Sequence, residues 1–435
     1  MFREIDIISL GCSKNLVDTE RLMRRMEDAG YVCHFDPEQP KAPILVINTC
    51  GFIGDAKEES INTILANALR KKAKENRLEK LYVMGCLSER YKKDLPEEIP
   101  EVDGWFGKFD YLGILKLLVN PRQYLDNTAG PERTLTTPNH YAYLKISEGC
   151  NRMCSYCAIP LITGRHVSRP MEELIREAEW LRDQGVKELN VIAQDLSSYG
   201  LDLYKEHKLP ELVERLAGVE GIRWIRLHYA YPTDFPDELL DVMARHDNVC
   251  KYLDIALQHC TTHMLKKMRR HIDREEQDAL IKRIRERVPG ICLRTTLMVG
   301  HPGETEEDFE ELKHWVREMR FDRMGAFAYS DEEGTYASRH YPDDIPDEVK
   351  QRRLSELMAI QQDISAELMA QKVGKKMEVV IDRKEDGLWI GRTEFDSPEV
   401  DCEVLIEDEN ELQIGTFYTV IITKAEEFDL HGKVC

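Results

Sequence analysis

Short, unbroken apolar runs alternate with amphipathic stretches from the first residues to about residue 345, and that alternation leaves few folds open. Ile5–Leu10, Ile44–Asn48 and Leu81–Met84 read as strands, with Asp18–Ala29 and Ala56–Lys74 as helices between them. A strand that is apolar along its whole length is buried on both faces. These residues therefore predict an α/β domain built on a doubly wound parallel sheet, over about 1–135. The stretch 121–139 is rich in Pro, Thr and polar residues and reads as a linker.

The alternation then continues on a larger scale. Tyr141–Ser147, Glu188–Gln194, Trp224–Tyr229, Tyr252–Gln258, Cys292–Val299 and Gly325–Tyr329 read as strands separated by helical runs. Six consecutive βα units predict a TIM-like barrel, or most of one, with its site at the C-terminal strand ends. A long polar helix over Asp347–Val373 completes a central domain of 140–370. Beyond it the period changes to two. KMEVVIDR, LWIGRTEF, CEVLIE and FYTVIIT alternate apolar with polar residues and predict a small antiparallel β-barrel or sandwich over 374–435.

Charge narrows the partners. The chain carries a net −20, against simple binding to a nucleic-acid backbone. Residues 372–435 hold 8 Lys and Arg against 16 Asp and Glu, a net of −8, whereas residues 1–138 are nearly balanced. No apolar run approaches the roughly 18 residues that span a bilayer. The N-terminus lacks a signal-peptide pattern, which predicts a cytoplasmic protein with no membrane partner.

In a reducing compartment, twelve cysteines argue for metal binding or catalysis over disulfides. Cys150, Cys154 and Cys157 follow the first central strand at spacings of four and three positions, so one loop can present three thiolates to one small object. A zinc site wants a fourth ligand, usually in paired C-x2-C units, and none is nearby. Three thiolates on a four-iron cube leave one iron open, able to chelate the amino and carboxylate groups of S-adenosylmethionine. One electron from such a cluster breaks a carbon–sulfur bond and releases a 5′-deoxyadenosyl radical. Tyr156, between two of these cysteines, either lies over the adenine or packs against the loop.

Cys12, Cys50 and Cys86 each end a predicted strand of the first sheet. Carboxyl ends of neighbouring strands open on one crevice, so these thiols also converge and predict a second three-thiolate cluster. Asn15, Asn48 and Thr49 beside them are placed to bond the sulfurs or to cap the following helices. Cys33, Cys250, Cys260, Cys292, Cys402 and Cys435 lack such placement and read as plain thiols. Gln194 and Gln258 end barrel strands and Thr296 lies within one, so all three are cofactor contacts if their side chains face the barrel mouth. Glu304 or Thr305 reads as the cap of the next helix.

These motifs, in order, resemble the methylthiotransferase branch of the radical S-adenosylmethionine enzymes: GCSKNLVDTE, INTCGF, MGC, the C-x3-C-x2-C loop, MVGHPGET and YSDEEGTYA. The resemblance covers the whole chain and implies a cluster domain, a radical barrel and a TRAM-type β-domain. Within that branch it is similar to the members acting on an aspartate of small-subunit ribosomal protein S-twelve. Ser13-Lys14-Asn15 stands where the tRNA-modifying members carry Gln-Met-Asn, and Ile159–Arg165 departs from their Arg-Gly-x-Glu run. The resemblance implies two 4Fe–4S clusters and two molecules of S-adenosylmethionine. One molecule methylates a sulfur on the second cluster, and the other supplies the radical that takes hydrogen from the aspartate β-carbon. It also implies a low-potential electron donor of flavodoxin or ferredoxin type. The acidic tail predicts a basic protein partner in place of tRNA. A tRNA adenosine methylthiotransferase is the enzymatic alternative, and a non-catalytic iron–sulfur sensor the alternative from another class.

Overall fold

The computed structural model describes residues 3–73, 77–118, 132–407 and 411–435. Lys74, the 121–131 part of the expected linker, Asp408 and Glu409 lie outside the described residues. Five parallel strands make the first sheet: β1 (Glu4–Ser9), β2 (Val32–Phe35), β3 (Ile44–Thr49), β4 (Lys80–Gly85) and β5 (Gly104–Trp105), in the order β2-β1-β3-β4-β5. Alternation along β3 divides its side chains between two cores. Ile44 and Val46 pack with Leu22 and Met26 of α1 (Ser13–Asp28), while Leu45 and Ile47 pack with Ile64 and Ala68 of α2 (Gly54–Lys72). The sheet is thus doubly wound, as its apolar strands require. β2 and β5 escape a pattern reading because one is a half-exposed edge and the other has two residues.

The second sheet holds β6 (Tyr141–Lys145), β9 (Glu188–Ile192), β10 (Trp224–Ala230), β11 (Val249–Ile255), β12 (Cys292–Val299) and β13 (Arg323–Ala328). All pairs are parallel and run in chain order, and β6 is not hydrogen-bonded to β13, so this is the partial barrel expected. A two-stranded hairpin, β7 (Ser147–Glu148) with β8 (Val167–Ser168), frames the cysteine loop. One face of each barrel strand joins the main core, through Leu189, Val191, Ile225, Leu227, Leu253, Ile255, Leu293 and Leu297. The opposite face is polar and still buried, with Asn190, Arg226, His228 and Asp254.

The tail is a closed five-stranded barrel of β14 (Lys376–Glu385), β15 (Leu388–Arg392), β16 (Val404–Ile406), β17 (Phe417–Ala425) and β18 (Leu430–Val434). It is not wholly antiparallel: β16 and β18 pair in parallel, because β17 carries the chain back across the barrel between them. The expected strand LWIGRTEF stops at Arg392, where Thr393 and Asp396 bond each other and turn the chain. This turn docks on the N-terminal ends of the central strands, where Phe395, Val380 and Phe417 pack on Trp224, Cys250, Tyr252 and Cys292.

That docking revises the acidic tail. Asp396 pairs with buried Arg323, and Asp401 accepts from Arg294 and from the Tyr252 hydroxyl at 2.7 Å. Glu399 accepts from Tyr141, Glu394 from the Lys251 amide, and Glu403 pairs with Arg383. Five of these carboxylates hold the chain to itself, whereas Glu407 and Glu411 stay exposed. The β-barrel also lies at the opposite strand ends from the cysteine loop, so this surface is not a wall of that site.

Candidate iron–sulfur centres

β1, β3 and β4 lie side by side, and each runs into a turn that carries one cysteine. Gly11 takes φ +98°, and a Cβ there would stand 3.0 Å from Cβ of Cys50. Gly51 passes so near the start of α3 (Cys86–Arg90) that a Cβ would meet the Leu87 amide nitrogen at 2.6 Å. The three turns are therefore in contact. Burial raises the Cys86 thiol to about 12; Lys108 opposes this, and charge on Cys12 and Cys50 adds to it, so the three sulfurs sense one another. Burial likewise raises Cys50. Cys12 is reached by solvent but stands in a recess crowded enough for desolvation to act. There Lys14 and Lys108 outweigh that penalty and hold its thiol below the ordinary value.

Asn15 joins the strand ends. Its Nδ2 donates to the Thr49 carbonyl at 3.1 Å, and its Oδ1 accepts from the Cys86 thiol at 3.4 Å. Asn48 donates to the Asn15 carbonyl, and Thr49 to the Met84 carbonyl. None of the three caps a helix, so their role is to brace the turns.

Cys150, Cys154 and Cys157 lie between β7 and the short helix Ile159–Thr163. Gly149 permits the tight turn before them, since a Cβ there would collide with the Arg165 carbonyl. Burial raises Cys150 to about 12, and burial followed by Cys154 raises Cys157. Arg270 Nη1 lies 3.3 Å from Cys154 Sγ, and the Tyr231 hydroxyl 3.5 Å from it. The Arg152 amide donates to Cys150 Sγ at 3.4 Å. Arg152 and Arg270 also flank the Tyr231 ring, 4.3 and 4.0 Å from its centroid.

Thiols that burial holds protonated, as at Cys50, Cys86, Cys150 and Cys157, ionise when a metal takes the proton's place. Among the described residues no three His, Cys, Asp or Glu side chains are placed to hold a single metal ion. A four-iron cube is a larger object, and two all-thiol groups with Arg270 or Lys14 and Lys108 beside them suit its anionic sulfur shell.

Gln194 follows β9 and donates to Glu148, beside the first cysteine of the loop. Gln258 is buried in a left-handed turn at φ +70°, its amide bonded to the Thr296 carbonyl. Thr296 shares with Arg294 and Met298 the less buried face of β12. Half-buried Tyr156 stands edge-on to His301 with its hydroxyl 3.5 Å from Arg270. Thr305 caps the helix Glu306–Met319 in a reciprocal box with Asp308, whereas Glu304 binds Arg353, His259 and the Gly300 amide. Sequence reading missed Arg152, Tyr231, Arg270 and Lys108. Arg152 stands within the loop between Cys150 and Cys154, whereas Lys108, Tyr231 and Arg270 come from separate segments that only the fold brings to the sulfurs.

Comparison with known proteins agrees with this architecture. Residues 144–316 match the radical SAM superfamily, 373–435 the TRAM domain, and 4–107 a family described as uncharacterized. The chain is 63% identical over 431 residues to the ribosomal protein uS12 methylthiotransferase RimO of Phocaeicola vulgatus, covering 99% of both chains. The RimO of Porphyromonas gingivalis is 58% identical over 432 residues, covering 99% of this chain and 98% of that one. In fold it resembles the radical S-adenosylmethionine methyltransferase TsrM from Kitasatospora setae, with TM-score 0.57, 15% identity and coverage of 78% and 77%. With two sets of cysteines at the strand ends and full-length identity to these enzymes, the chain belongs to the RimO family of radical S-adenosylmethionine methylthiotransferases.

Proposed function

We propose that this protein transfers a methylthio group to the β-carbon of an aspartate in small-subunit ribosomal protein S-twelve. Two three-thiol groups, in a chain matching RimO enzymes over 99% of its length, carry this reading. Cys150, Cys154 and Cys157 ligate the cluster that binds S-adenosylmethionine, with Tyr156, Gln194, Gln258 and Thr296 lining the cofactor. Cys12, Cys50 and Cys86 ligate a second cluster. When bound, the first cluster supplies the electron that cleaves S-adenosylmethionine, and the second holds the transferable sulfur. Arg270 and Arg152 hold positive charge against the first group, Lys108 and Lys14 against the second.

The domains that divide this work are 1–135, 140–370 and 374–435. A low-potential flavodoxin or ferredoxin delivers electrons, and the protein acts in the cytoplasm. A net charge of −20, with Glu407 and Glu411 outward, favours approach of a basic protein over tRNA.

The test is anaerobic reconstitution followed by mass spectrometry of S-twelve. The native protein is expected to hold about eight irons in two clusters. Cys50→Ala should lose about half the iron, keep reductive cleavage of S-adenosylmethionine and transfer no methylthio group. Cys154→Ala should lose both activities. A protein that binds zinc without iron, or methylthiolates tRNA and leaves S-twelve unchanged, defeats the proposal.

A further inference from the structure

Three lysine ammonium groups meet where the first domain faces the central barrel, and two of them are neutralised. Lys108 lies 2.6 Å from Asp18, and Lys145 lies 2.5 Å from Asp18 and 2.8 Å from Glu148. Lys14 is different. The residue is only 9% exposed, and its Nζ sits 3.5 Å from the centroid of the Tyr229 ring. Among the described residues no carboxylate is within ion-pair distance of it. The nearby Asp254 is occupied by Arg294 and the Tyr229 amide. Beside the Cys12 thiol, a buried ammonium with an aromatic face on one side and no carboxylate within ion-pair distance has room to pair with one.

Two placements say which anion. Lys14 opens α1, two residues after Cys12, and so stands at the N-terminal thiol group. Tyr229 is at the C-terminal end of β10, where a barrel of this kind keeps its reactants, in a left-handed conformation at φ +67°. Lys14 thus spans the gap between the two halves of the site.

We infer that Lys14, backed by the Tyr229 ring, receives the side-chain carboxylate of the substrate aspartate and selects aspartate over asparagine. The inference rests on the function proposed above. In that reaction the carbon to be modified is bonded directly to the carboxylate carbon. A group that holds the carboxylate must then stand beside the sulfur source, as Lys14 does beside Cys12. A neutral amide would leave the ammonium buried and unpaired, the situation in which a polar site discriminates most strongly.

The experiment measures binding of purified S-twelve to the reconstituted enzyme. S-twelve is prepared with aspartate or asparagine at the position that the native enzyme modifies. Native enzyme should bind the aspartate form about tenfold more tightly or better. Lys14→Met should bind both forms equally, through weaker binding of the aspartate form alone, and Lys14→Arg should retain the preference. Iron content and the midpoint potential of each cluster are recorded alongside, with Lys14→Gln used if the methionine variant loses iron. A Lys14→Met or Lys14→Gln enzyme that keeps the native preference overturns the inference. A shifted potential with the preference intact also overturns it, making Lys14 a counter-charge for the thiolates. If native enzyme neither binds nor modifies S-twelve, the functional proposal fails first. If it does both, only the role of Lys14 is at issue.

Discussion

Arg392 joins the C-terminal β-barrel to the central one. Its guanidinium, 2% exposed, donates to both oxygens of Glu188 on the central barrel and to both oxygens of Asp382 beside it. Arg226 also pairs with Glu188, and the His140 ring bonds Asp382. A buried pair of this kind is weak evidence for net stability, but removing one partner strands the others. Arg392→Met should therefore destabilise the docked β-barrel by about 3 kcal/mol, seen as a lowered thermal midpoint and faster amide exchange in β15. Arg392→Lys should rescue little, because a point charge cannot serve two carboxylates through a planar fork. An unchanged midpoint would mean that the apolar contacts of Trp224 and Phe417 alone hold the barrel.

Helix starts differ in whether a side chain caps them. The helix Arg274–Arg287 begins at Asp273, whose side chain accepts from the Glu276 amide while Glu276 reaches back. The helix Glu306–Met319 does the same with Thr305 and Asp308. α1 has no side-chain cap, because Cys12 occupies the position where Ser, Thr or Asp would sit, and α3 begins at Cys86 directly after Gly85, which has no side chain to cap with. The turn into α1 keeps a thiol at the expense of a cap, and Asn15 braces both turns. Asp273→Ala should cost about 1 kcal/mol, read as faster hydrogen exchange in the first turn of its helix. Equal exchange in variant and native protein would show that packing of Leu280 and Ile284 sets the stability of that end.

Across the whole molecule, the first domain is held to the central one by charge. Glu177 is buried among Arg21, Arg133 and Arg169, and Arg133 also reaches Glu20 on α1. The described end of the expected linker is thus anchored at Arg133. Burial alone would raise the Glu177 carboxyl, but Arg133, Arg169 and Arg21 prevail and hold it at about 2 instead of 4.5. A lowered carboxyl stabilises the fold above its unfolded value and loses that contribution as pH falls toward the folded one. At about 1.4 kcal/mol per pH unit the contribution is about 3 kcal/mol, present at pH 5 and fading toward pH 2. The gap in denaturation free energy between native protein and Glu177→Gln should narrow over that range, measured on the metal-free chain. A gap constant from pH 5 to pH 3 would assign the acid sensitivity to other carboxylates.

Period and spacing in the chain determined the three architectures and singled out the six cysteines as candidates, because burial on one or two faces dictates which residues repeat. β3 is legible since both its faces are covered, and the cysteine loop since three thiols close together in a reducing compartment have few uses. Tertiary structure alone decided what surrounds those sulfurs and which acids face outward. Arg270 and Tyr231 reach Cys154 from segments about 116 and 77 residues away, a proximity that no local pattern encodes. Asp396 and Asp401 look like solvent-facing acids in a charged run. Their arginines lie in β13 and β12, so only docking of the β-barrel turns them inward, since a charge is buried where its partner already waits.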